Sequence, residues 1–351
     1  MASFDLDKEY LSLDDVLLVP AYSEIASRLD TDISTTLVGN IKIKIPVVSA
    51  AMDTISGKDM GIKLGRLGGA AFLHRFASDE EIVSMVKDIK EAGQLAIPSI
   101  GIRKDIVQWV DVLLGAGADV ISIDIAHGHS KEVLTTIGLL KGVYKEACKV
   151  VAGNVATKEG VHDLIEAGAD AVKVFVGPGA ACSTRVVTGF GVPTFSCLVE
   201  CLGEASRHNI PIIADGGLKA PGDFTKCLAV GASACMSGSM LSATDETPGK
   251  YVKIRDKFYK EYRGMASEAS QKDFKRGLKL GTASEGEAML FESKGPVKDV
   301  IDRITGGIRS GLTYCGAKNL QELREKARFI RITQSAAAEG LPHGLNNKGA
   351  L

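Results

Sequence analysis

KVVAGNVATKEGVHDLIEAGADAVKVFVG, residues 149–177, holds two short apolar, β-branched runs, at 149–156 and 171–177, around a segment of helical character. Each run is continuous rather than alternating in polarity, the pattern of a parallel strand buried on both faces. EAGADAV (166–172) closes the helix. A glycine at a helix end takes the left-handed conformation, and the next strand opens two or three residues later. Related closures recur as GAGADV (115–120) and AVGASAC (229–235), a weak internal repeat.

Outward from this unit the same pattern continues. Before it lie IPVVSAAM (45–52), GAAFLHR (69–75), LAIPSIG (95–101) and DVISIDIAHG (119–128); after it come IPIIADGG (210–217) and ACMSGS (234–239). Between the runs, Ile82, Val86 and Ile89 are spaced for one helix face behind a Ser78-x-x-Glu81 capping box. Ile106, Trp109, Val110, Leu113 and Leu114 form a second stripe, and Pro221 suits the first position of another helix. Eight strands, each followed by a helix, predict an α/β chain folded as a single (β/α)8 TIM barrel over residues 1–351. No G-x-G-x-x-G follows the first strand, which weighs against an open dinucleotide-binding sheet.

Three stretches fall outside the repeat. Residues 1–44 precede the first clear strand and are expected to pack across the barrel's bottom or side. Residues 242–296 form a long insertion after strand eight, at the end of the barrel where active sites form, and read as a flap or lid. The tail from 336 to 351 reads as frayed.

With 42 Lys+Arg against 43 Asp+Glu, the net charge of −1 gives no electrostatic case for nucleic acid or an anionic membrane as partner. Every apolar stretch is interrupted well short of the ~18 residues of a membrane span, and the opening MASFDLDKEYLSLDD is not patterned as a secretory leader. Seven cysteines, an odd number with no C-x-x-C, argue against a disulfide framework or zinc ribbon and fit a reducing, cytoplasmic setting. Cys197 and Cys201, four apart on one helix face, read as small buried apolar residues.

Barrel geometry directs attention to the loops just after the strands. Gly177-Pro178-Gly179-Ala180-Ala181-Cys182-Ser183-Thr184-Arg185 follows strand six. Its glycines let backbone N–H and C=O groups wrap an ion. Cys182, on that loop with Arg185 close in sequence, is placed as a nucleophile, the other reading being a buried structural thiol. Asp215-Gly216-Gly217 and Ser237-Gly238-Ser239 follow strands seven and eight, the usual phosphate cradle, with Asp215 able to accept two ribose hydroxyls. Asp124 ends strand four ahead of His127 and His129, for which packing or support outweighs metal binding. Asn154 stands at the mouth of strand five, and Glu268 is one more acid in the insertion.

SAAMDT (49–54), IDIAHGHS (123–130), AGNVAT (152–157), GPGAACSTR (177–185), IADGG (213–217) and YRGM (262–265) occur in that order. Together they resemble the inosine monophosphate dehydrogenase and guanosine monophosphate reductase family over roughly residues 10–330. The resemblance implies a (β/α)8 barrel, a homotetramer, and Cys182 as the nucleophile toward purine C2. It implies Met52, Gly179, Asp215, Gly217, Gly238, Ser239, Tyr262, Gly264 and Met265 as nucleotide contacts, and Asp124 and Asn154 beside the nicotinamide. It further implies a monovalent cation, potassium, on the carbonyls of Gly177, Gly179 and Cys182. Ala180 stands where the family usually has Ser, which removes one hydroxyl donor to phosphate.

Within the family, the absence of an insert after strand two and of an adjacent Arg-Tyr pair in QKDFKRGLKLG (271–281) resembles the reductase branch. So do LHRF (73–76) and YKEYRGMASE (259–268), whereas GGIRSGLTYCGA (306–317) and EGE (285–287) are more like the dehydrogenase. The expectation is a GMP reductase using NADPH, with Cys182, Thr184 and Glu268 catalytic. The alternatives are a dehydrogenase taking IMP to XMP with NAD+, and a non-catalytic purine-nucleotide-binding barrel.

Overall fold

A computed structural model describes residues 8–274 and 283–340. Each of the eight apolar runs contains one strand: β1 (Val47–Ser49), β2 (Ala70–Leu73), β3 (Ala96–Ile100), β4 (Val120–Asp124), β5 (Lys149–Val155), β6 (Ala171–Val174), β7 (Ile212–Asp215) and β8 (Ala234–Ser237). They pair in parallel and in chain order, and β8 closes on β1 through Cys235–Val47, Met236–Val48 and Ser237–Ser49. The chain is therefore a (β/α)8 barrel, as its periodicity predicts. Among the described residues, no helix is long and apolar enough to cross a membrane.

The helices are α1 (Lys58–Arg66), α2 (Asp79–Glu91), α3 (Ile106–Gly115), α4 (Lys131–Tyr144), α5 (Lys158–Glu166), a short α6 (Thr184–Thr188), α7 (Thr194–Ala205) and α8 (Pro221–Val230). The Ser78 box forms in both directions: Ser78 Oγ accepts the Glu81 N–H, and the Glu81 carboxylate accepts the Ser78 N–H. A cap of this kind contributes about 1 kcal/mol. α2 buries Ile82, Val86 and Ile89. In the repeated closures, Gly117, Gly168 and Gly231 all have positive φ, at 103°, 106° and 134°, where a side chain would be strained. The aspartate next to the first two glycines has a further role. Asp119 and Asp170 each accept an N–H at the start of a neighbouring strand, from Ala96 and Val150, and each pairs with a helix lysine, Lys90 or Lys141.

Residues 8–44 pack along the side and the bottom, with Leu11 and Leu13 bonded to Ser196 and Thr194 at the start of α7. The hairpin of Thr35–Val38 and Ile41–Ile43 brings Leu37, Val38 and Ile43 against the inward-facing Val48, Phe72, Ile97, Val151 and Ile213, plugging the barrel. Val16–Leu18 pairs antiparallel with Phe329–Arg331. After β8 the chain forms β9 (Val252–Ile254), β10 (Lys257–Arg263), the short α9 (Glu268–Asp273) and β11 (Ala288–Glu292). It then enters α10 (Val297–Cys315). Strands β9, β10 and β11 make an antiparallel sheet. At the start of the tail, Gln334–Glu339 is a short helix with Thr333 capping the Ala336 N–H ahead of three alanines. The remainder of that stretch, 341–351, lies outside the described residues, as do 1–7.

Candidate active site

A cavity of about 290 Å³ opens at the C-terminal ends of the strands, close to the lower size of ligand pockets (~300 Å³). Nearly every strand mouth supplies a wall: Met52 after β1, Arg75 and Phe76 after β2, Asp124 at β4, Asn154 near the end of β5, Asp215 at β7 and Gly238 after β8. The long β6 loop adds Gly177, Gly179, Cys182 and Thr184. The insertion contributes Tyr262, Gly264, Met265 and Glu285 from above.

Cys182 is the one exposed cysteine; the other six are buried and all seven are free thiols. Its Sγ lies 3.1 Å from Thr184 Oγ1, and that hydroxyl lies 2.9 Å from Glu285 Oε2. Thiol to hydroxyl to carboxylate is thus a continuous hydrogen-bonded path. Backbone bonds fix it: Ser183 N–H donates to the Glu285 carbonyl at 3.0 Å, and Glu287 N–H to the Ala181 carbonyl at 2.9 Å. Gly264 permits this approach, since a Cβ there would stand 2.7 Å from the Ala181 oxygen. Arg185, expected beside the thiol, instead donates to the Val192 carbonyl at 2.7 Å.

Glu268, the acid the resemblance pointed to, is elsewhere. It is exposed at the start of α9, ion-paired with Lys272 at 2.6 Å, and absent from the cavity wall. Its neighbour Ser267 caps α9, and that capping geometry turns the glutamate side chain outward. The acid that reaches Thr184 is Glu285. Two other expected contacts also stand off the wall: Gly217 sits against Pro178, and the Ser239 carbonyl accepts from Lys294 at 2.6 Å.

Beneath the cavity floor, Lys173 on β6 is fully buried. Its ammonium pairs with Asp124 and stands 3.9 Å from Asp215. Burial works against the charged amine, but the two carboxylates outweigh it and its pKa stays raised. Burial pushes Asp215 above the usual carboxylate range, against the pull of Lys173 and the 2.8 Å bond from Asn154 Nδ2. Lys173 therefore links the acid expected at the ribose to the acid expected at the nicotinamide. Burial, then Asp215 and Cys182, keep the Tyr262 phenol protonated. At Gly238 a Cβ would meet Met52 Sδ and Tyr262 Oη at 3.0 Å each, so the wall there is open only because the residue is glycine.

Of the cation-loop carbonyls, that of Gly179 already accepts the Cys182 N–H at 2.9 Å. Of the two loop histidines, His129 Nε2 pairs with Asp163 at 2.7 Å.

Residues 10–343 match the IMP dehydrogenase / GMP reductase domain. The chain belongs to this family. Among its relatives are proteins named inosine-5'-monophosphate dehydrogenase. That of Nitrosopumilus maritimus is 32% identical, covering 96% of this chain and 98% of the relative. Those of Bacillus subtilis (33%, 96% of each chain) and Cryptosporidium parvum (34%, 95% and 94%) are similar. The N. maritimus alignment runs over 470 positions against 351 residues here, so that relative carries a stretch with no counterpart in this chain. Accordingly, β2 passes within a few residues into α2 with no inserted module. Membership makes this chain an oxidoreductase that acts on a purine nucleotide with a nicotinamide cofactor.

Proposed function

We propose that the enzyme works at C2 of a purine mononucleotide through a covalent bond to Cys182, in the direction IMP + NAD+ + H2O to XMP + NADH + H+. The path Cys182–Thr184–Glu285 carries this reading. The sulfur adds to C2, and a bound nicotinamide would accept the C2 hydrogen with its electron pair as hydride. Water then attacks C2 and displaces the thiolate. Thr184 and Glu285 take the proton from the thiol and from the attacking water, the hydroxyl passing it on and the carboxylate holding it. Asp215 anchors the ribose, and the loops of Gly179, Gly238 and Tyr262 hold base and phosphate so that binding energy orients C2 over the sulfur. Asp124 and Asn154, beside Asp215 on the cavity floor, suit the nicotinamide end of the cofactor. A potassium ion on the loop carbonyls and a homotetramer belong to the same proposal.

The sequence resemblance put reductive deamination first; the full-length relatives named as dehydrogenases reverse that order. The reductase reading keeps specific support: no Arg-Tyr pair stands in 264–287, and Arg263 is engaged by Asp53 and Asp273. In that direction the same path runs backwards: Thr184 and Glu285 protonate the departing 2-amino group of GMP, and a bound NADPH would supply the hydride to C2. Mixing the protein with IMP and NAD+, and separately with GMP and NADPH, tests both. A rise in reduced-nicotinamide absorbance in the first mixture alone supports dehydrogenation. A fall in the second alone replaces it with reduction, and no change in either refutes both.

A further inference from the structure

On the outside of the barrel, away from the cavity wall, α5 packs against α7 and the turn Ser206–His208 that follows it. Three side chains converge there. Glu204 Oε1 lies 3.0 Å from His162 Nδ1 and 3.3 Å from His208 Nε2, and the three atoms all fall within 4.8 Å of one another. The other carboxylate oxygen, Oε2, is engaged by Arg207 Nη1 at 3.0 Å. That contact fixes the carboxylate so that a single oxygen faces both imidazoles.

We infer that His162, Glu204 and His208 form a surface site for a divalent transition cation, with zinc the best fit. A tetrahedral zinc with bonds of about 2.0–2.1 Å holds its ligand atoms about 3.3–3.4 Å apart. Two edges of that figure are already present to within a few tenths of an ångström, and the third needs a modest contraction between partly exposed histidines. Two imidazoles with one carboxylate select zinc or its neighbours over magnesium or calcium, which take oxygen ligands. The Arg207 contact is the kind of supporting bond that orients a ligating carboxylate. Water would fill the fourth position. Because the ligands come from two helices, the ion would tie α5 to the end of α7.

The test is zinc titration against a chromophoric chelator, carried out on the full chain with Cys182→Ala so that the exposed thiol does not compete. One zinc per chain is expected at micromolar affinity, weakened at least about tenfold by His162→Ala and by His208→Ala. His162→Gln, which keeps a polar side chain of similar reach, must lose the ion too, so that disturbed packing is not mistaken for a lost ligand. With Cys182 restored, the histidine variants should turn over like the parent. Zinc binding that ignores both histidines, or no binding up to about 1 mM in the parent, overturns the inference.

Discussion

Replacing Lys173 with Met removes a fully buried positive charge beneath Asp124 and Asp215 while keeping a chain of similar length. At 3.9 Å from Asp215, and with an effective dielectric of about 20, that one attraction is worth about 4 kcal/mol. Asp124 is closer still, and desolvation of the amine offsets part of both. Breaking a buried pair from one side typically costs about 3–5 kcal/mol, the stability loss expected at pH 8. The loss should shrink as pH falls. Asp215 already has a raised pKa, and without Lys173 it rises further. The folded variant then binds a proton that the unfolded chain, titrating near 3.8, does not. Stability therefore falls with rising pH through the window above 3.8, and the variant is closer to the parent at pH 6 than at pH 8. Chemical denaturation followed by circular dichroism at the two pH values measures this. Adding Asp124→Asn should restore part of the loss by removing a stranded charge. A loss under about 1 kcal/mol, or one indifferent to both pH and Asp124→Asn, would show that Lys173 is not the bridge between the acids.

Glu285→Gln should lower kcat by about 10²–10⁴-fold because the amide bonds to Thr184 but cannot hold a proton, whereas Glu268→Gln should leave kcat within about twofold. Steady-state rates of the two variants decide which acid serves the thiol. Gly238→Ala puts a methyl 3.0 Å from Met52 and Tyr262, and should raise the nucleotide KM by about tenfold, or about 1.4 kcal/mol, with little change in fold by circular dichroism. Gly264→Ala forces the insertion off the Ala181 carbonyl, which a Cβ would approach to 2.7 Å. Its kcat should fall while its denaturation midpoint moves little, since few core contacts are involved.

The barrel was legible because strands buried on both faces have to be apolar throughout, and eight such runs leave little freedom in topology. Lys173 was hidden by the same logic, as an anomaly inside AVKVFVG that periodicity alone passes over. A lysine in a doubly buried strand needs carboxylates, and the two acids it needed, Asp124 and Asp215, had already been singled out. Glu285 was harder to see. Ala-Ser-Glu occurs twice in the insertion, at 266–268 and 283–285, and local sequence does not say which copy faces the thiol. That choice is made by the pairing of residues 285–287 with 181–183, about a hundred positions away. Gly217 and Ser239, implied by motif, do not line the cavity, whereas their neighbours Gly216 and Gly238 do. In the His162–Glu204–His208 cluster only the i, i+4 spacing of Glu204 and His208 is local; His162 joins them from another helix through the fold.

The most direct test is to mix enzyme, IMP and NAD+, quench with acid during turnover, and map the peptides by mass spectrometry. The account predicts a nucleotide bonded to the peptide carrying Cys182, which disappears in Cys182→Ser along with turnover. Turnover that persists in Cys182→Ser, or an adduct on any other residue, contradicts it.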